Sequence, residues 1–71
     1  MELVQRGTKI RRIRKERLLR KWSLEDLGSR ARVSAADICR IETGRMVPYP
    51  SHAERLAAAL GLKPEELTQE V

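Results

Sequence analysis

The sequence predicts an all-α fold, a compact bundle of five short helices, on three observations. Pairs of serine and acid at Ser23/Asp26, Ser34/Asp37 and Ser51/Glu54 each mark a helix start, and Gly44 and Gly61 stand where helices would stop. β-Branched residues are scattered and no segment alternates apolar and polar over four or more positions, so strand signals are nearly missing. Phe is absent and Trp22 and Tyr49 are the only aromatics, which leaves a core of Leu, Ile, Val and Ala and favours packed helices over a sandwich. The 71 residues have room for one domain, expected over 1–71 with a core from about 8 to 69, and a chain this short buries only roughly 60 per cent of its unfolded surface.

Each element follows from local punctuation. Thr8 can cap a first helix over 9–21 that carries Ile10, Ile13 and Leu18 on a narrow apolar stripe through a very basic stretch. Ser23 with Asp26 opens a helix over 24–31, the acid in its first turn matching the macrodipole. Ser34 with Asp37 repeats that signature for a helix over 35–43, with Ile38 and Ile41 inward and Gly44 at the left-handed position beyond its end. Pro48 and Pro50 make 45–50 an ordered extended loop. Ser51 and Glu54 form a capping box for a helix over 51–60, whose stripe is Ala53, Leu56, Ala57 and Leu60. Gly61 ends it, and Pro64 with Glu65 and Glu66 starts a last helix over 64–69 that folds Leu67 onto the core.

Charge is unevenly placed. The net is +5, but residues 6–45 hold 13 basic and 5 acidic side chains whereas 46–71 hold 2 and 4. A positive field over the first two thirds points to a polyanionic partner. Cys39 is the only cysteine and His52 the only histidine, so neither an intrachain disulfide nor a structural zinc site is expected. No apolar run approaches the roughly 20 residues that span a bilayer and no signal-type h-region stands at the N-terminus, so the expectation is a cytoplasmic protein without a membrane partner. A second histidine, a nucleophile with a base in motif spacing and a glycine-rich phosphate cradle are all missing, so neither catalysis nor a cofactor is expected.

Residues 23–44 place two short helices about three residues apart, the spacing of a helix-turn-helix. So short a turn forces a large crossing angle, and Gly28 supplies the small residue that the contact needs. Leu27, Ala31, Val33, Ile38 and Ile41 then close one apolar cluster. With that cluster inward, Ala35, Ala36, Cys39 and Arg40 fall on or near the outward side of the second motif helix, whose small leading residues let it approach base edges closely.

The order of Ile13-Arg14, Arg17, Ser23, Leu27, Val33-Ser34, Ile38, Arg40-Ile41-Glu42, Gly44, Pro48, Leu56-Ala57, Leu60-Gly61 and Glu66-Leu67 resembles the Cro and phage-repressor type helix-turn-helix proteins, the xenobiotic-response-element family. The resemblance covers about residues 10 to 67, and its most specific part is Ile-x-Arg-Ile-Glu-x-Gly with the later Leu-Gly. It implies a lambda-repressor-like five-helix domain whose third helix lies in the DNA major groove. Carried over by position, it implies base reading by Ala35, Ala36 and Arg40, with Asp37 on the same DNA-binding helix, and contacts near phosphates from Ser34, Thr43 and Arg45. Glu42 matches an acid that pairs with an arginine of the first helix, here Arg17. Leu24 occupies a DNA-backbone position where the family commonly has a glutamine, and leucine cannot donate. Arg32 replaces the usual turn glycine, which at positive φ costs about 1 kcal/mol. Glu16 occupies a first-helix position that is usually apolar.

Other residues carry a plain and a functional reading. Arg11, Arg12, Arg14, Lys15, Arg20 and Lys21 form either a solvated helix face or a phosphate-neutralising surface, and the sign asymmetry favours the second. Cys39 reads as a small helix residue rather than a redox switch, Trp22 as a core plug rather than a stacking platform, and His52 as exposed and without a role. Tyr49 is divided between packing and a backbone contact.

The expected function is a sequence-specific regulator that binds double-stranded DNA and represses by occluding a promoter, working as a homodimer on half-sites roughly 34 Å apart. The alternative is a protein-interaction module, the antitoxin of a toxin–antitoxin pair, whose partner would be a toxin; the transcription machinery is the other protein partner considered. A third reading is an RNA or nucleoid binder that uses charge without base reading.

Overall fold

The structure, a computed structural model, describes residues 10–71. Its elements are α1 (Arg12–Leu19), α2 (Leu24–Ala31), α3 (Ala35–Glu42), α4 (Pro50–Leu60) and a single 3-10 turn at Pro64–Glu66. The fold is all-helical, with four α-helices in place of the expected five. The stretch expected over 64–69 stops after one turn, where the Glu66 carboxylate accepts from the Lys63 N–H at 2.7 Å and Leu67 drops fully into the core. The tail beyond it runs back alongside the residues that lead into α1.

That tail explains the late start of α1. Val71 N donates to Ile10 O at 2.9 Å, Arg12 N to Gln69 O at 2.7 Å and Ile13 N to Leu67 O at 3.0 Å, and Arg11 and Glu70 form an isolated antiparallel bridge. The first amides of a helix have no acceptor within it, and here tail carbonyls serve them in place of a capping side chain. Thr8, the expected cap, lies outside the described residues. The expected stripe also changes: Ile13 and Arg17, one turn apart, face inward, while Leu18 and Leu19 are 47% and 66% exposed. Arg17 takes the inward place because a buried carboxylate partners it.

The later helices follow their caps closely. Ser23 and Asp26 form a complete capping box at α2, with reciprocal bonds of 3.0 and 2.9 Å. These bonds from Ser23 hold the Asp26 carboxyl below the usual carboxylate range. At α3 only half of the box forms: Ser34 Oγ accepts from Asp37 N at 3.1 Å, but the Asp37 carboxylate turns to Arg40 instead. At α4 the cap is Tyr49 and Pro50 is the first helical residue, so Ser51 lies inside the helix. Proline displaces it because its φ is already helical and its missing N–H is one that the first turn leaves unbonded. All four helices end on a left-handed residue, at Lys21, Arg32, Gly44 and Gly61. Arg32 therefore holds the turn between α2 and α3 at φ +59, with Val33 N bonded back to Gly28 O at 3.2 Å.

α2 packs against both α3 and α4, and α4 against α1 and the 3-10 turn. The buried core is Ile13, Leu27, Ala31, Val33, Ile38, Ile41, Leu56, Ala57, Leu60 and Leu67, with Trp22 partly buried against it. A Cβ on Gly28 would lie 2.6 Å from the Val33 carbonyl oxygen, closer than atoms can approach, so the crossing of α2 and α3 requires glycine there.

Candidate nucleic-acid interface

The orientation of α3 is set from its inner side. Arg17 Nε donates to Glu42 Oε2 at 2.7 Å, Nη2 to Oε1 at 3.0 Å, and Nη1 to the Trp22 carbonyl at 2.9 Å. One guanidinium thus ties α1, the lead-in to α2 and the last residue of α3. The pair is buried, and the hydrogen bonds to Glu42 raise the Arg17 pKa against the opposing effect of burial. With Ile38, Ile41 and Glu42 held inward, Ala36, Cys39, Arg40 and Thr43 must face solvent.

Ala36, Cys39, Arg40, Thr43 and Arg45 line one shallow depression on that outer face. Arg45 reaches it because Gly44 turns the chain at φ +78, with Arg45 N bonded to Arg40 O at 2.8 Å. Arg40 Nη1 donates to Asp37 Oδ1 at 3.0 Å, a single bond between side chains 57% and 27% exposed. Thr43 Oγ1 donates its proton to the Cys39 carbonyl at 2.9 Å, so its hydroxyl is engaged with its own helix. Ser34 Oγ accepts from an amide, which leaves its O–H free to donate. Ser34 and Ala35 stand at the leading end of α3, outside the depression, and Leu24 is partly buried against the core. Cys39 is an exposed free thiol.

The basic run divides into two groups. Arg12 and Arg20 both bond the Glu16 carboxylate, at 3.1 and 2.8 Å, and these bonds, that from Arg20 first, hold it below the usual carboxylate range. Arg20 also donates to the Leu60 carbonyl at 3.0 Å at the end of α4, and the Arg11 guanidinium lies against Gly44. Arg14, Lys15 and Lys21 are exposed and form no ion pair among the described residues. Glu16 therefore takes its usually apolar position as a half-buried bridge between two arginines. His52 is half-buried rather than exposed, edge-on to Tyr49 at 5.3 Å, with a buried Nδ1 that has no partner.

Two roles escape the sequence. Arg55 on α4 donates through Nε to Ala31 O at 2.9 Å and through Nη2 to Arg32 O at 3.2 Å, satisfying the open end of α2. Trp22 is covered by Arg30, whose guanidinium carbon lies 4.2 Å from the ring centroid. A lone arginine on a helix carries no signal for either contact.

Two short helices joined by a three-residue turn, the second clamped from inside and bare outside, define a helix-turn-helix protein. A family model described as a helix-turn-helix domain matches residues 7–71, and the chain belongs to that family, in keeping with its resemblance to the Cro and phage-repressor type. Neither the curated proteins nor the solved structures give a match. Membership implies a DNA-binding regulator. Among the described residues no helix is long and apolar enough to cross a membrane.

Proposed function

We propose that the protein is a sequence-specific regulator of transcription that reads the major groove of double-stranded DNA with α3 and acts as a repressor by covering a promoter. The observation that carries this reading is the outer face of α3, where a small residue, Ala36, stands one turn before an arginine held only by one exposed bond. A guanidinium so placed can leave Asp37 at little cost and bond O6 and N7 of a guanine, while a methyl group at Ala36 suits the C5-methyl of thymine.

The surrounding groups supply position rather than reading. Ser34 has a hydroxyl proton to offer a phosphate, and Arg45 adds a guanidinium at the other end of the helix. Arg14, Lys15 and Lys21 add a steering field that acts on any sequence. Leu24, whose side chain has no donor and packs against the core, offers the DNA backbone no side-chain hydrogen bond. One domain of this size covers one half-site, so a homodimer supplies the second, roughly 34 Å away.

Selection of bound duplexes from a random pool tests the reading. A two-fold symmetric motif is the expected result. Recovery of unrelated sequences, with affinity falling steeply in salt, would overturn it in favour of a binder that uses charge alone.

A further inference from the structure

Arg30, Ala31 and Arg32 at the end of α2, with Arg55, Ala58 and Ala59 on α4, line a second concavity of about 380 Å³ that shares no residue with the depression on α3. Its walls are three guanidinium groups. No carboxylate lines it, and none of the three arginines is in an ion pair among the described residues. Three alanines complete the lining, of which Ala31 is buried in the core, Ala59 is partly buried and Ala58 is exposed.

Two of the guanidinium groups are already immobilised. Arg55 is fixed through Nε and Nη2 on the carbonyls of Ala31 and Arg32, with Nη1 uncommitted. Arg30 lies over the Trp22 ring, a contact that uses its face and leaves its N–H edges open. An incoming anion therefore meets donors whose rotamer freedom is already lost, which removes a main cost of binding. The third is placed against backbone preference: Arg32 stands at φ +59, where glycine is the unstrained residue.

We infer that this cleft docks an acidic peptide segment of a partner protein, its carboxylates on the guanidinium forks and its short apolar side chains beside Ala58 and Ala59. The exposed methyl of Ala58 beside the guanidinium groups suits short apolar side chains set between carboxylates, and nucleic acid on the same guanidinium groups is an outcome of the test. The inference is independent of the reading of α3, since the two surfaces share no residue.

The test uses a fluorescein-labelled 12-residue peptide of alternating Glu and Ala, the same peptide with Gln in place of Glu, and a 20-base-pair duplex, each titrated by anisotropy. Two changes are combined, Arg30→Gln and Arg32→Gly, the second of which relieves backbone strain, and circular dichroism checks that the variant is folded before titration. A charge-matched control, Arg14→Gln with Lys15→Gln, removes two charges elsewhere. The acidic peptide should bind the wild type at least about tenfold more tightly than the Gln peptide, and lose about tenfold or more on the cleft variant but less than about threefold on the control. Duplex affinity of the cleft variant should stay within about twofold of wild type. Equal loss on both variants would show attraction to net charge and overturn the proposal, as would equal binding of the two peptides. A matching fall in duplex affinity on the cleft variant would assign the cleft to nucleic acid and also overturn it.

Discussion

Two arginine–carboxylate pairs meet α3, one from inside and one from outside, and they are built differently. Arg17 grips Glu42 with two bonds in a buried site and adds a third to a backbone carbonyl. Arg40 touches Asp37 through one bond in the open. The first pair cannot be broken without stranding a charge in the core, whereas the second exchanges with water at almost no cost. The helix is thus fixed on its inner face, while its outer arginine is held by one exposed bond.

The two pairs should differ most when their carboxylates are removed, and the larger effect is at Glu42. Glu42→Ala leaves the Arg17 guanidinium unpaired and should destabilise by roughly 3 to 5 kcal/mol. In a chain this short that lowers Tm by more than about 12 °C, read by circular dichroism. A variant that melts like wild type would show that the inner pair does not hold the fold.

Gly28→Ala tests the same inner side through sterics. The added methyl meets a backbone carbonyl, so α2 and α3 must separate, and a net loss of about 1 to 3 kcal/mol is expected despite the better helix propensity of alanine. Chemical denaturation would measure it, and no loss would mean that the crossing has room to adjust. Arg32→Gly goes the other way, relieving left-handed strain for a gain of about 0.5 to 1 kcal/mol by the same method. A loss there would mean that the Arg32 side chain contributes to the fold.

Asp37→Ala should change stability least, by under about 1 kcal/mol, because its pair is exposed. Set beside Glu42→Ala in parallel melts, it sharpens the contrast, and equal losses would erase it.

Much of this was legible locally. Ser23 with Asp26, Gly44 and Gly61 act through neighbours a few residues away, and the bounds of α2 followed. Gly28 followed from the length of the turn. Residues whose partners are distant in sequence were not legible. The start of α1 depends on Leu67 and Gln69 at the other end of the chain, and Arg20 and Arg55 serve carbonyls on other helices. Arg12 and Arg20 read as phosphate ligands because the charge asymmetry outweighed a spacing that was visible, each standing four residues from Glu16. Ser51 and Glu54 satisfied a capping pattern, yet Pro50 began the helix one residue earlier. On the outer face of α3, helical spacing alone placed Ala36, Cys39 and Arg40 toward solvent, while the roles of Arg17 and Glu42 came only with the family resemblance.

On the proposed reading Arg40 reads bases while Arg14 and Lys21 only steer. It is tested by titrating wild type and Arg40→Ala, with Arg14→Ala and Lys21→Ala beside them, against a selected duplex and its scrambled counterpart at several salt concentrations. Arg40→Ala should lose roughly 1 to 3 kcal/mol on the selected duplex alone and relax preference at one or two base pairs, whereas each steering variant should weaken both duplexes equally and reduce the salt slope by about one. Equal loss on both duplexes for Arg40→Ala would show that Arg40 does not read bases.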